Sequence, residues 1–360
     1  MIKLNSVTKS YGDMDAVREL SLSVETGGFT VLIGPSGCGK STTLRMINRL
    51  VTMTSGNITI DGTDVQSYRP EELRRRIGYA IQSVGLFPHM TVAQNIAVVP
   101  KLLKWESARI DLRTEELLEL FGLDAASYGE KFPRQLSGGE AQRVGVARAL
   151  AADPDILLMD EPFGAIDPIT RETLQTEFAR IQRELKKTIV FVTHDIDEAI
   201  RLASRIVILK DGELVQHDTP ETILTSPANR FVLEFIGTDR ALKRLSRLFA
   251  SQFVKPAPII AGKRNPGDAE DDLTEHRYIW VVDDDNRPIG WLDDDDLSLG
   301  ETTAQGAMTP LDFRTEAIAE DSTLREALSR MVQKGIRSAP VVDADGRLLG
   351  EIRLGDILDA

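Results

Sequence analysis

One short loop, Gly34-Pro35-Ser36-Gly37-Cys38-Gly39-Lys40-Ser41, constrains this chain more than any other feature. Its spacing fits G-x-x-x-x-G-K-[ST]. A backbone that wraps a phosphate must turn tightly, and glycine permits the φ values and the close approach this needs. Successive N–H groups then converge on the anion, helped by the N-terminus of a following helix. Lys40 would reach the β- and γ-phosphates, and the Ser41 hydroxyl would ligate Mg2+. The flanks agree. The apolar run Phe29–Ile33 precedes the loop, and the helical pattern STTLRMINRL follows it.

Similar apolar runs recur at 155–159, Thr188–Val192 and 205–209. Runs without polar alternation predict strands covered on both faces, as in a parallel sheet. Helical patterns lie between them, for example over 168–185, and strands alternating with helices indicate an α/β core. Ile58-Thr59-Ile60 before Asp61-Gly62 predicts part of a small antiparallel region with a turn. Residues 92–150 carry helical patterns and no strong strand, so they read as a helical insertion. The run at 155–159 ends in two acids. Asp160 is placed to hold Mg2+ through water, and Glu161 to polarise an attacking water as general base.

A chain of 360 residues exceeds one ordinary core, so two domains are expected. No uninterrupted apolar run of about 18 residues occurs, and the N-terminus lacks the apolar stretch of a secretory signal. A cytoplasmic chain is therefore expected. The single cysteine, Cys38, cannot form an intrachain disulfide, which suits a reducing compartment. It lies inside the phosphate loop, so its alkylation is expected to block nucleotide binding unless nucleotide protects it. The net charge of −13 argues against a nucleic-acid partner. Residues 261–300 hold twelve acids and four bases, a local charge of −8. Asp283-Asp284-Asp285 and Asp293 to Asp296 read first as solvated acidic surface.

The character of the chain changes after about residue 236. Residues 255–276 are rich in Pro, Gly and charge, as a loop or linker would be. Beyond them the sequence repeats itself at an offset of 60. Val281-Val282-Asp283 matches Val341-Val342-Asp343, Asp285 matches Asp345, and Arg287 matches Arg347. Gly290 matches Gly350 and Asp296 matches Asp356. Such a self-match predicts two copies of one β-rich unit packed together.

Leu136-Ser137-Gly138-Gly139-Glu140, with Gln142 and Arg143 beyond it, resembles the signature motif of the ABC ATPases. It sits after a helical stretch and before the strand that ends in Asp160. Ser137 opens a helix whose backbone donors would face a γ-phosphate. Other elements of that family follow in order. Tyr11 resembles the aromatic that stacks on adenine. Gln82 resembles the glutamine that senses Mg2+ and the attacking water. Gly164-Ala165-Ile166-Asp167 resembles the D-loop, and His194 the switch histidine that contacts the γ-phosphate. The resemblance covers residues 1 to about 236. It implies a P-loop NTPase core of α/β class with an antiparallel β subdomain and a helical subdomain.

It also implies ATP and Mg2+ as cofactors. The nucleotide would be held by Tyr11, by Gly34, Pro35, Ser36, Gly37, Cys38, Gly39, Lys40, Ser41 and Thr42, and by Ser137, Gly138, Gly139, Glu140 and Asp167. Ser41, Gln82 and Asp160 would serve the metal, and Glu161, His194 and Gln82 would be catalytic. In this family the signature of one subunit completes the ATP site of another, which implies a homodimer. Integral membrane permease subunits would dock near 83–97, where Leu86, Phe87 and Pro88 are apolar for a loop. The chain would then lie peripherally on the cytoplasmic face of the membrane.

Residues 237–360 resemble an α+β tandem CBS domain. The first copy, about 237–299, is degenerate. The second, about 300–360, begins at Ala307-Met308-Thr309-Pro310 and continues through a helical stretch over 323–334. CBS pairs often bind adenine nucleotides through a Ser or Thr three residues after the glycine. Asp293 and Arg353 stand there instead, and an aspartate would repel a phosphate. An ATPase with this tail resembles the importers of glycine betaine, carnitine, choline and proline, which work with an extracytoplasmic solute-binding protein. Importers of another small solute such as an amino acid, and soluble ABC ATPases outside transport, remain alternatives. Whether the tail binds a nucleotide, senses ionic strength or only dimerises stays open. Screening of an acidic tail as the Debye length falls from ~10 Å at 0.1 M to ~3 Å at 1 M salt is one physical route to sensing.

Overall fold

The computed structural model describes residues 1–81, 85–164, 166–167, 171, 175, 178, 187–297 and 301–360. The chain divides into two compact units, 1–238 and 239–360.

The first unit is built on a six-stranded sheet in the order β10-β9-β3-β8-β7-β6. Its strands are β3 (Phe29–Ile33), β6 (Ile77–Ala80), β7 (Ile156–Asp160), β8 (Thr188–Val192), β9 (Arg205–Lys210) and β10 (Glu213–Asp218). All neighbours are parallel except β9 and β10. The four apolar runs became β3, β7, β8 and β9 because each is covered on both sides. Phe29, Val31 and Ile33 of β3 join one core with Leu157, Met159, Ile189 and Phe191. Leu32 joins the other core with Ile156, Leu158, Val190 and Val192. The period-2 pleat sorts one uninterrupted apolar run between two cores.

The core on the Leu32 face is completed by an antiparallel sheet, β2-β1-β4-β5. It comprises β1 (Ile2–Tyr11), β2 (Met14–Val24), β4 (Ser55–Ile60) and β5 (Thr63–Asp64). The expected turn after Ile60 is present, with Asp61 and Gly62 both at positive φ. The helix Lys40–Ile47 packs into the same core through Leu44, Met46 and Ile47. On the Phe191 face lie the helices Val92–Ile96, Ser107–Leu120 and Gly138–Leu150, the expected helical insertion. Phe191 sits 5.7 Å from Phe29 and 5.9 Å from Phe163, ring centre to ring centre. Burial of each such ring contributes roughly 1.5–3 kcal/mol. The helix expected over 168–185 falls mostly outside the described residues; Arg171, Gln175 and Phe178 are helical.

The second unit holds the repeat as two like sheets. One runs β11 (Ile259–Ala261), β12 (Ile279–Val282), β13 (Pro288–Leu292) and β14 (Thr309–Pro310). The other runs β15 (Ile318–Ala319), β16 (Ser338–Val342) and β17 (Leu348–Arg353). In each, a short parallel strand precedes an antiparallel hairpin. The two hairpins share an irregular register at Val281/Val282 and at Val341/Val342. The repeated aspartates have a structural reason. Asp283 accepts from the N–H groups of Asp285 and Arg287, and Asp343 from those of Asp345 and Arg347. Asp293 likewise accepts from the N–H of Asp295 and of Asp296. Part of the acidic surface therefore consists of turn and cap residues satisfying local backbone donors. The helix Leu324–Lys334 is capped by Thr323 with a reciprocal Glu326 bond and ends on Gly335. Among the described residues no helix is long and apolar enough to cross a membrane.

Candidate nucleotide site

The phosphate loop joins the end of β3 to the helix Lys40–Ile47. Gly39, at φ +99, forms the left-handed step before that helix. A Cβ there would meet the Ala16 carbonyl oxygen at 2.5 Å, and one at Gly34 would meet the Leu209 oxygen at 2.1 Å. The loop is thus wedged between β2 and β9, and only glycine fits both contacts. Lys40 is 7% exposed. Its ammonium donates to the carbonyls of Gly34 (2.7 Å) and Pro35 (3.0 Å), so the cation is held within the loop. A buried cation inside a glycine cradle fits a polyphosphate.

Asp160 ends β7 and is buried. The Ser41 hydroxyl donates to its Oδ1 at 2.8 Å. Burial raises the Asp160 carboxyl above its ordinary range, against the hydrogen bond from Ser41 and the charges of Arg45 and Lys40. Mg2+ favours hard oxygen donors and takes one or two carboxylates beside water and phosphate oxygens. A serine hydroxyl and an aspartate in contact are a donor set of that kind. Among the described residues no cluster of three or more His, Cys, Asp or Glu side chains could hold a metal ion.

Glu161 follows in a strained left-handed conformation, φ +48. Such a backbone costs about 1–3 kcal/mol in a non-glycine residue and persists where neighbours over-determine it. Here the Glu161 N–H donates to Val192 (2.9 Å), and its carbonyl accepts from the Gln142 side-chain amide at 3.0 Å. The strain turns the side chain off the strand toward His194, whose Nδ1 lies 3.4 Å from Glu161 Oε2. Gln142 is the functional residue the sequence reading left without a role. It is buried, on the helix opened by the signature motif, and it ties that helix to the backbone of the candidate base. No local pattern announces a contact across 19 residues. Gln142→Leu is expected to lower kcat for ATP about tenfold, or roughly 1.4 kcal/mol, with little change in KM. Steady-state phosphate release measures this, and an unchanged kcat would refute the role.

Cys38 points into the core beneath the loop. Its thiol is buried, and burial pushes it above the usual range although Lys40 stands beside it. Reactive thiols are exposed and lowered. Alkylation by iodoacetamide is therefore expected to be slow in the folded chain and fast in denaturant, measured by mass spectrometry. Rapid labelling of the folded chain would contradict the inward placement.

Tyr11 is half exposed at the tip of the β1–β2 hairpin, paired with Met14, with the Lys9 ammonium 4.7 Å from its ring centre. The strand β2 touches Gly39 through Ala16 and Val17, which brings that tip beside the loop. Ser36 and Gly37 lie exposed on the loop, and Thr42 is half-buried in the first turn of its helix. Ser137 caps its helix as expected, and Ser137 and Gly138 are exposed there. Glu140 uses one carboxylate oxygen on the Ser137 N–H (2.7 Å) and the other on the Tyr128 hydroxyl (2.6 Å). Asp167 is exposed beside the buried Ile166. Gln82 and Ala165 lie outside the described residues. In the expected docking segment Leu86 packs on the core while Phe87 and Pro88 are exposed.

An ABC-type ATPase is the class that this loop, this carboxylate pair and this sheet define. The ABC transporter family profile matches residues 17–164, and the CBS domain profile matches 313–360. A carnitine transport ATP-binding protein of Listeria monocytogenes is 46% identical over 365 residues, spanning 100% of this chain and 91% of the relative. A glycine betaine uptake system ATP-binding protein of Escherichia coli K12 is 46% identical over 359 residues, 99% of each. A solved dimeric ATP-binding cassette in a post-hydrolysis state with ADP and Pi is 37% identical, with a TM-score of 0.57. It covers 61% of this chain and 99% of that one. The chain belongs to the ATP-binding subunits of the osmoprotectant-uptake family of ABC transporters. It is an ATPase that binds ATP.

Proposed function

We propose that this chain energises import of a quaternary-amine osmoprotectant such as glycine betaine, choline or carnitine. The observation that carries this is the full-length likeness to the betaine and carnitine systems, C-terminal unit included. A spermidine/putrescine import ATP-binding protein of Chromobacterium violaceum is 43% identical over only 68% of this chain. The ATPase part alone thus leaves another small solute open, and the extent of the match favours the osmoprotectant reading.

Residues 1–236 act as the nucleotide-binding domain and 237–360 as a tandem CBS domain that regulates it. Lys40 and the loop hold the phosphates, and Tyr11 stacks on the base. Ser41, Asp160 and Gln82 would hold Mg2+, which would neutralise phosphate charge when bound. Glu161 takes a proton from the attacking water, with His194 beside it and Gln82 at the same water. Two copies pair head to tail, so that the exposed Ser137, Gly138 and Asp167 and the half-buried Gly139 of one meet nucleotide on the other. Phe87 and Pro88 offer an apolar contact to the integral membrane permease, and an extracytoplasmic binding protein delivers solute. The chain would sit peripherally on the cytoplasmic face of the membrane. Labelled glycine betaine uptake after a salt upshift, with the cognate permease and binding protein, tests this. Uptake is expected with the native chain and to be lost with Glu161→Gln. No uptake with the native chain would overturn the cargo assignment while leaving the ATPase intact.

A further inference from the structure

The C-terminal unit contains a cavity of about 740 Å3 between its two repeat copies. The offset of 60 explains which residues face it. Tyr278, Trp280 and Trp291 come from one copy. Their equivalents in the other, Ser338, Pro340 and Glu351, line the same cavity. Trp280 pairs with Trp291 across its hairpin, and Pro340 with Glu351 across the other, so the same register positions point inward twice. A symmetric scaffold thus carries an asymmetric lining, with three aromatic rings on one side and a carboxylate on the other.

The rings are fixed in place. The Tyr278 hydroxyl (3.1 Å), the Trp280 indole N–H (3.0 Å) and the Ser338 hydroxyl (3.2 Å) all donate to Glu351 Oε2. Arg353 Nε donates to Glu351 Oε1 at 2.6 Å. Glu351 is 1% exposed. Burial, with Glu351 alongside, pushes the Tyr278 hydroxyl up to about 12, so it stays a neutral donor at any ordinary pH. Glu351 is therefore a positioning residue for the aromatic walls. Successive rings meet edge to face: Tyr278 and Trp280 at 73° with centres 5.5 Å apart, Trp280 and Trp291 at 75° and 6.3 Å. Flat bases stack in a slot between parallel faces, whereas steeply inclined rings form a corner suited to a rounded group. Glu316 also lines the cavity, and its Oε2 is buried without a hydrogen-bond partner. An unpartnered carboxylate oxygen lining the same cavity as an aromatic corner suits a cation. Arg277 and Arg337, equivalent positions in the two copies, are exposed and line the same cavity.

We propose that this cavity binds a small quaternary-ammonium compound that also carries a carboxylate. The alkylated cation sits in the corner of Tyr278, Trp280 and Trp291 with Glu316 as counter-charge, and the carboxylate meets Arg277 and Arg337. The ammonium has no N–H to donate, so ring faces and a carboxylate charge recognise it better than hydrogen-bond acceptors would. This is the chemical class proposed above as cargo. The site would let the chain read the concentration of what its transporter delivers, and that last step rests on the cargo reading.

The chain has three tryptophans, and only Trp105 lies outside the cavity. In full-length Trp105→Phe protein, carnitine is expected to give a saturable change in tryptophan fluorescence. Tetramethylammonium should compete with it and glycine should not. Isothermal titration with the native protein should give the same order. Trp291→Leu keeps apolar bulk on the strand but removes the π face. It is expected to weaken carnitine binding by roughly tenfold while ATP hydrolysis stays native. No saturable change with carnitine would overturn the proposal. So would equal competition by glycine, unaltered carnitine affinity in a folded Trp291→Leu protein, or a response to AMP with none to carnitine. If Trp291→Leu does not fold, the competition order in the native protein decides alone. These measurements need no permease, so their failure is distinct from failure of the uptake assay.

Discussion

Glu161→Gln is expected to reduce ATP turnover by roughly 10²–10⁴-fold, the range a positioned general base supplies, while ATP binding persists. The substitution keeps the shape of the side chain and the backbone bonds to Val192 and Gln142, which involve main-chain atoms of Glu161. It removes only the carboxylate that lies 3.4 Å from His194. Phosphate release and equilibrium binding of a fluorescent ATP analogue separate the two effects. Turnover near the native rate would show that the base lies elsewhere. Loss of binding would mean that Glu161 serves the cradle instead.

Gly34→Ala is expected to destabilise the first unit by about 3–5 kcal/mol and to abolish ATP binding. Two effects coincide at this position. The backbone stands at φ +152, which L side chains rarely adopt, and a Cβ would lie 2.1 Å from the Leu209 oxygen and 2.8 Å from Cys38 Sγ. Strained backbone contributes about 1–3 kcal/mol. The contact with Leu209 is with backbone of β9 inside the main sheet, so relief would require that strand to move. Chemical denaturation followed by circular dichroism gives the stability change. A stable variant that still binds ATP would show that the loop has slack the structure does not suggest. Gly37→Ala is the control, since nothing lies within 4 Å of a Cβ there and only its φ of +82 is unfavourable.

Different kinds of information were legible in the sequence to different degrees. The phosphate loop was, because its chemistry is local: eight consecutive residues carry the turn, the cation and the hydroxyl. The strands β3, β7, β8 and β9 were legible as apolar runs, since a strand buried on both faces has no polar positions. The helix start at Ser137 was legible for the same local reason. The offset-60 repeat was visible in identities, and the turn bonds of Asp283 and Asp343 show why some of them recur.

What the sequence determined by itself was the four strands β3, β7, β8 and β9 in chain order and the presence of a nucleotide-binding loop and two acids at a strand end. Both follow from interactions within a few residues, where spacing alone fixes which groups meet. Tertiary structure alone decided the rest. It placed Gln142 against the Glu161 carbonyl, turned Cys38 inward, and set the β1–β2 hairpin that carries Tyr11 against Gly39. It also brought Trp280, Trp291 and Glu351 into one cavity, although Glu351 lies 71 positions from Trp280. Contacts of that kind depend on which strands become neighbours. Strand neighbours are chosen by burial of whole faces rather than by any residue's own neighbours in the chain.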